Sequence, residues 1–218
     1  MGKKERNGIK KPRSSREPRR CELGNYRILT DTDNSERFFF EGLKASLPPE
    51  VRKKIEIIVS KKIKTKNLVK EAEEMIDSFK DTWIVFDRDQ VPNFDELIDE
   101  AEHKDIHVAW SNPCIEIWFM AYYGSMPNGM NSVQCCTQFG IEFQKRRGEV
   151  YSKDDRNIYR KLIESGDEEK AIQTAKKKSE AWIKNSRDTE YIPPSERNAC
   201  TLMFDIVAEI RSRTISKT

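Results

Sequence analysis

Short apolar runs alternate with amphipathic segments between residues 26 and 124. Each run is four to six residues long and rich in β-branched or aromatic side chains, which is typical of a buried strand. The runs are YRILT, IEIIVS, WIVF and IHVAW, at residues 26–30, 55–60, 83–86 and 106–110. They predict four strands.

The segments between these runs carry apolar side chains at helical spacing, which predicts helices. The predicted helices lie within residues 31–47, 65–80, 93–104 and 112–124. Asn93 is a candidate N-cap with Glu96 placed for a capping box, whereas Pro113 suits a first helical turn and Gly124 a helix end. Strands that alternate with helices indicate βαβ units. The predicted fold class is therefore α/β, with a mostly parallel four-stranded sheet flanked by helices.

The character of the chain changes after Gly124. A turn-rich stretch at 125–140 is followed by three helical patterns at 155–166, 167–185 and 195–213, the last with Ser195 as candidate N-cap. We predict three parts: a basic disordered tail at 1–22, an α/β domain at 23–124, and a helical lobe at 125–218 that packs on the sheet.

Charge is concentrated at the N-terminus, although the formal net charge of the chain is only +3. Residues 1–20 are rich in Lys, Arg, Pro and Ser, and they hold almost nothing to bury. Such a tail is either a solvated terminus or an arm that binds phosphates without sequence specificity.

Hydropathy and cysteine content indicate a cytoplasmic protein with reduced thiols. No run of about 18 apolar residues predicts a transmembrane helix, and the basic N-terminus lacks the apolar segment of a secretory signal. The cysteines are odd in number and form no CxxC motif, which argues against a structural zinc site. They are Cys21, Cys114, Cys135, Cys136 and Cys200.

Acidic residues recur where the predicted strands end. Asp31 and Glu36 follow the first strand, Asp87 and Asp89 follow the third, and Glu116 comes shortly after the fourth. Ligands of parallel α/β sheets bind beyond the carboxyl ends of the strands, and side chains at i and i+2 of extended chain point the same way. A carboxylate cluster needs a cation or protons, and oxygen ligands favour Mg²⁺ or Mn²⁺. We therefore predict that these acids hold a metal.

Each of these residues also has a plainer interpretation. Asp87 and Asp89 suit a turn or a helix cap, and Glu116 suits a structural salt bridge. Arg88 suits a surface ion pair as well as it suits neutralising part of the cluster or contacting phosphate. Asn112 suits either the cap of the following helix or a polar contact in the site.

Candidate nucleic-acid contacts lie outside the acidic cluster. The basic candidates are Arg88, Lys145, Arg146, Arg147, Lys176 and Lys177, which form either part of a phosphate groove or a solvated surface. The aromatic candidates for base stacking also have the spacing of core residues; they are Trp110, Trp118, Tyr122 and Tyr123. His103 and His107 are expected at the surface.

Four motifs together resemble the RloB-like family, bacterial Toprim-domain proteins associated with restriction-modification and phage defence. They are LTDTDNSERFFFEGL, WIVFDRDQVPNF, AWSNPCIEIWFMAYYG and IPPSERNACTLMFDIV, and they span roughly residues 26–210. SNPCIEIWF is the most specific of them. The resemblance implies a metal-dependent nuclease with Asp31, Glu36, Asp87 and Asp89 as catalytic acids, and an ATPase partner encoded nearby.

One departure from the family pattern bears on activity. The family places a glutamate followed by glycine where this chain has Asp31 and Thr32. The resemblance implies that the acid at this position is a general base or metal ligand, and Asp31 is one methylene shorter; Asp33 is a candidate substitute. Two functions follow: a Mg²⁺-dependent nuclease acting on DNA or RNA, or a Toprim-fold regulatory subunit with reduced activity that binds nucleic acid or the ATPase. A phosphotransferase of another α/β fold would need a lysine beside a nucleophilic aspartate, and the sequence alone identifies none.

Overall fold

A five-stranded mixed sheet forms the centre of the protein, as seen in a computed structural model that describes residues 25–60, 65–77, 79–89, 91–188 and 191–215. The strands are β1 (Tyr26–Thr30), β2 (Ile55–Val59), β3 (Asp81–Asp87), β4 (His107–Asn112) and β5 (Cys200–Thr201). Their order is β2-β1-β3-β4-β5; the first four are parallel and β5 is antiparallel. The predicted α/β class with a mostly parallel sheet is confirmed. The predicted tail at 1–22 lies outside the described residues.

Helices connect the strands and cover the sheet. The first five are α1 (Ser35–Ala45), α2 (Pro49–Arg52), α3 (Leu68–Glu74), α4 (Phe94–His103) and α5 (Glu116–Ala121). The later ones are α6 (Ser132–Arg147), α7 (Ile158–Ser165), α8 (Glu168–Asp188) and α9 (Met203–Ile215). Short 3₁₀ turns precede α3, at Thr65–Asn67, and β5, at Pro194–Glu196.

Alternation along the strands gives the sheet two buried faces. Ile28 and Val85 enter one core with α1, α5 and the later helices, whereas Leu29 and Ile84 enter a second core with α3 and α4. Successive strand residues point to opposite faces, so a continuous apolar run fits a strand that is covered on both sides. The first core contains residues from both sides of Gly124; the predicted domain boundary there stays a prediction.

The α1 helix packs unusually closely on α7. A Cβ atom added at Gly42 would lie 2.5 Å from the Cβ atom of Tyr159, so only glycine fits that position without a shift. This contact brings residues of the later helices to the helix that follows β1.

The structure corrects several local predictions. The predicted helix at 65–80 ends earlier, since α3 stops at Glu74 and Phe79 is 64% exposed. The stretch at 125–140 is mostly helical, because α6 begins there behind a capping box of Asn131 and Gln134. The predicted capping box at Asn93 is absent, as this side chain makes no cap hydrogen bond.

The last predicted helix is also divided. Ser195 caps no helix; its backbone N–H donates to Asp95 Oδ1 at 2.8 Å. The chain then forms β5, whose Thr201 pairs with Ser111, before α9 begins. The sheet therefore has five strands, one more than predicted. A two-residue strand such as β5 carries no periodic signal, so the hydrophobic pattern could not indicate it.

Two predicted helix-start residues have different roles. Asn112 is the buried last residue of β4, and its side-chain amide donates to the carbonyl oxygens of Pro194 and Ser195 at 3.1 and 2.9 Å. Pro113 precedes α5 by several residues and lies outside its first turn. The described residues include no helix long and apolar enough to cross a membrane.

Candidate metal centre

The carboxyl ends of three adjacent parallel strands bring acidic side chains together. Asp31 directly follows β1, Asp87 is the last residue of β3, and Glu116 begins α5 just after β4. Glu36, in the first turn of α1, and Asp89, two residues past Asp87, complete the set. The order β1-β3-β4 makes these ends neighbours along one edge of the sheet.

Backbone hydrogen bonds fix the turn that carries Asp87 and Asp89 against the end of β4. The N–H of Arg88 donates to the carbonyl of Ser111 at 2.8 Å, and that of Asp89 donates to Pro113 at 3.2 Å. Asp87 Oδ2 in turn accepts the N–H of Ile115 at 3.1 Å, which leaves Oδ1 free of that bond. The DxD turn is therefore part of the rigid sheet edge.

Asp87 lies at the electrostatic centre of the cluster. Burial raises its pKa well above the ordinary value for aspartate, and four neighbouring carboxylates raise it further. These neighbours, in decreasing order of effect, are Glu36, Glu116, Asp31 and Asp89. The electrostatics thus identify the five predicted acids as one interacting group.

Asp31 shares this environment. Burial raises its pKa from 3.8 to about 7, with smaller contributions from the charges of Glu36 and Asp89. The Thr65 hydroxyl, which donates to Asp31 Oδ2 at 2.7 Å, acts in the opposite direction because it stabilises the charged form. Asp33, the candidate substitute, is exposed and forms an ion pair with Arg37 instead.

Glu36 is buried, with 5% of its surface exposed. Burial raises the pKa of its carboxyl, and the charge of Glu116 adds to the effect. The hydroxyl of Thr32 donates to Glu36 Oε2 and partly offsets it. Thr32, where the resemblance implies a glycine, therefore orients one of the acids.

Glu116 is fully buried and is held through one oxygen only. Its Oε1 accepts the Tyr151 hydroxyl at 2.9 Å and lies 3.3 Å from Lys153 Nζ. Its Oε2 has no hydrogen-bond partner among the described residues. The Tyr151 hydroxyl also hydrogen-bonds with Ser35 Oγ at 3.2 Å, so the loop after α6 joins α1 and α5 at the site.

The sequence matches the profile of the RloB-like protein family over residues 26–210, which is most of the chain. The chain belongs to the RloB-like family. The predicted resemblance is confirmed. No curated protein and no solved structure matches this RloB-like chain.

The donor chemistry of this RloB-like chain fits a hard divalent cation at the sheet edge. Asp31, Glu36 and Asp87 have raised pKa values, to which the neighbouring charges of Glu116 and Asp89 contribute, so this group favours protons or a cation. Mg²⁺ and Mn²⁺ prefer oxygen donors. No three of the five acids bring oxygens within 4.8 Å of one another, in the part of the chain that the structure describes. This wider spacing fits Mg²⁺, because like charges repel and because Mg²⁺ commonly keeps several waters between itself and its carboxylates.

A different group among the described residues is tighter. One donor atom each of Cys114, Glu116 and Cys136 lies within 4.8 Å of the other two. Sequence spacing gave no sign of this group, because Cys136 comes from α6 and only the fold brings it to the site.

The structure separates the predicted nucleic-acid residues. Arg88 follows Asp87 in the chain, and its guanidinium carbon lies 5.9 Å from the ring centroid of Phe94, a residue of the core that contains α3 and α4. Lys145, Arg146 and Arg147 lie at the far end of α6, about 15 Å along the helix from Cys136.

Several of the candidate contacts already have partners within the protein. Arg146 stacks 4.3 Å from the ring centroid of Tyr123, and Arg147 pairs with Glu149 and Glu164. Lys176 and Lys177 are exposed on α8. The aromatic candidates Trp110, Trp118 and Tyr122 are buried in the core, as their spacing indicated.

Residues that sequence reasoning missed come from the loop after α6 and from the turn before α3. Tyr151 and Lys153 contact Glu116, and Thr65 contacts Asp31. None lies in a motif or at a strand end, so no local pattern could have found them. Burial alone would lower the pKa of Lys153, but several neighbouring groups, led by the negative charge of Glu116, together outweigh burial and raise the pKa, which keeps this lysine charged.

Proposed function

We propose that this RloB-like protein is a nuclease that depends on Mg²⁺ or Mn²⁺ and hydrolyses phosphodiester bonds of DNA or RNA, on a Toprim-type sheet. The observation that carries the proposal is the set of five interacting acids at the carboxyl edge of three adjacent parallel strands. Anti-phage defence in the cytoplasm with an ATPase partner is the setting that family membership suggests, and it is part of the proposal.

Asp31, Glu36, Asp87 and Asp89 would hold the cation, with Glu116 contributing directly or through water. Bound there, Mg²⁺ supplies an activated water and offsets charge on the phosphate and leaving oxygen. The N–H of Ile115 holds Asp87 in place, and Thr65 and Thr32 do the same for Asp31 and Glu36. These contacts orient the carboxylates before any substrate arrives.

Phosphate binding in this proposal falls first to Lys153, which pairs with Glu116, and to Arg88, which lies between Asp87 and Asp89 in the chain. Lys153 has about half of its side chain exposed and lies beside Glu116, so it can reach both the acids and a bound backbone. Arg88 Nε is buried without a hydrogen-bond partner among the described residues, which leaves donor capacity for a ligand. Lys176 and Lys177 on α8 would contact the nucleic-acid backbone farther away.

A second function, a regulatory subunit with reduced catalysis, is favoured by one specific observation. Asp31 replaces the glutamate of the family pattern, and one of its oxygens is already engaged by Thr65. A shorter side chain tied to a neighbour reaches less far toward a cation, and displacement by about 1 Å can cost much of the rate.

A cleavage assay separates the two functions. The protein is incubated with plasmid, single-stranded DNA and tRNA, with Mg²⁺, Mn²⁺ or EDTA, and with and without a candidate ATPase partner. If the protein is a nuclease, we expect metal-dependent cleavage whose rate falls at least 100-fold in Asp87→Asn. Asp99→Asn, the same substitution at an exposed aspartate on α4, should leave the cleavage rate unchanged. Cleavage in EDTA, or none with either metal on any substrate, would overturn the nuclease and favour the subunit.

A further inference from the structure

Two thiols and a carboxylate meet at the boundary between α5 and α6. Cys114 lies just before α5, Cys136 is in the first turns of α6, and Glu116 begins α5. The Sγ atoms of the two cysteines and one oxygen of Glu116 lie within 4.8 Å of one another, and both cysteines are free thiols. From these residues we propose a second metal site, which takes a thiophilic divalent cation of the Zn²⁺ class.

An unsatisfied buried oxygen supports this site independently of the spacing. Glu116 is fully buried, and its Oε2 has no hydrogen-bond partner among the described residues. A buried carboxylate oxygen without a partner is costly, and a cation removes that cost. Meanwhile Oε1 accepts the Tyr151 hydroxyl and pairs with Lys153, the kind of outer contact that orients a metal ligand.

The ligand set determines the class of cation. Thiolates select Zn²⁺ and similar soft or borderline ions, whereas Mg²⁺ avoids sulfur, so this site and the oxygen-rich set of acids prefer different metals. Donors around a tetrahedral zinc lie roughly 3.4–3.8 Å apart. The three donor atoms lie within 4.8 Å of one another, so their spacing needs to close by at most about 1.4 Å. Each coordinating thiol would lose its proton to solvent.

Both cysteines are carried by well-anchored backbone. The capping box of Asn131 and Gln134 fixes the start of α6, and the Cys114 thiol contacts the carbonyl oxygen of Ser132 at 3.9 Å. Cys136 is partly exposed whereas Cys114 is buried, so an ion can enter from the Cys136 side. Three protein donors leave a fourth tetrahedral position open to water or a ligand.

Titration of the reduced, EDTA-treated full chain with Co²⁺ tests the site, since thiolate ligands give Co²⁺ a charge-transfer absorption that carboxylates do not. We expect one Co²⁺ per chain with this absorption, displaced by Zn²⁺ and unchanged by excess Mg²⁺. Cys136→Ser should abolish the absorption and weaken Co²⁺ binding at least tenfold, and Glu116→Gln should weaken it by a similar factor. Cys200 is a buried cysteine in the other core, and the control variant Cys200→Ala should bind Co²⁺ as the wild type does.

Cys136→Ser is the primary variant because its side chain is partly exposed, and circular dichroism checks its fold. Absence of the charge-transfer absorption in the folded wild-type protein would overturn the site, as would its persistence in Cys136→Ser. A Cys114–Cys136 disulfide that persists under the reducing conditions, shown by two missing thiols in a thiol count, would also overturn it. Nuclease activity plays no part in these readouts, so this site and the proposed function can fail separately.

Discussion

Replacing Asp31 by asparagine should stabilise the protein in the absence of divalent cations. Burial raises the pKa of this carboxyl from 3.8 to about 7, chiefly by desolvation and then by the charge of Glu36. The folded protein therefore binds this proton more tightly than the unfolded chain. The stabilisation that comes from protonated Asp31 is complete below about pH 4 and is lost as the pH rises through about 7.

The magnitude follows from the size of that change. A tenfold difference in proton affinity is worth about 1.4 kcal/mol, so keeping Asp31 ionised at pH 8 costs at most about 4 kcal/mol. Asparagine has no charge and retains an oxygen that can accept the Thr65 hydroxyl. Since the buried amide NH₂ also needs a partner, we expect Asp31→Asn to gain about 1–3 kcal/mol at pH 8.

Urea unfolding of the wild type and Asp31→Asn measures this difference at pH 8 and pH 5, in EDTA and in Mg²⁺. In EDTA, Asp31→Asn should have the higher free energy of unfolding at pH 8, and its difference from the wild type should be smaller at pH 5. Mg²⁺ should stabilise the wild type more than the variant, because only the native site of the wild type retains this ligand. A destabilised variant at pH 8, or a gap that does not change with pH, would refute the electrostatic reasoning.

Two further predictions concern packing and the contact behind the site. Gly42→Ala should lower the free energy of unfolding by about 1–3 kcal/mol in urea, because the added Cβ atom would meet Tyr159. The control is Gly140→Ala, which is also inside a helix but whose added Cβ atom would lie 3.9 Å from its nearest neighbour; it should raise the free energy of unfolding by up to about 1 kcal/mol. Equal effects of the two substitutions would contradict the close approach of α1 and α7. Tyr151→Phe should cost about 1–3 kcal/mol because it removes a donor to the buried Glu116, and an unchanged unfolding midpoint would contradict that role.

The sequence predicts the main sheet well because the information there is local. Each of the strands β1 to β4 corresponds to an apolar run in the sequence. Because both faces of these strands are buried, their apolar residues are continuous and do not alternate with polar ones. The β5 strand has only two residues, Cys200–Thr201, and exists through pairing with β4 some 90 residues earlier in the chain. Such a partner leaves no trace in the local pattern, so this segment reads as part of a helix.

The acids of the site could also be predicted from local sequence, since each follows a predicted strand or lies near the start of a predicted helix. The residues that hydrogen-bond or pair with these acids could not. Thr65, Tyr151 and Lys153 reach the acids from loops 34 to 37 residues away in sequence, and Cys136 arrives on a helix that the pattern did not indicate. Tertiary packing decides these contacts, and a single sequence carries no periodicity that would predict them.

A crystal of the protein soaked with Mn²⁺ tests the central claim most directly, because anomalous scattering locates the ion without any assumption about activity. The account predicts a Mn²⁺ peak at the carboxyl edge of β1, β3 and β4, coordinated by Asp87 together with Asp31 or Glu36 and by water. The peak should be absent from crystals of Asp87→Asn. A saturating soak with no peak at this edge, or a peak that survives Asp87→Asn unchanged, would contradict the account.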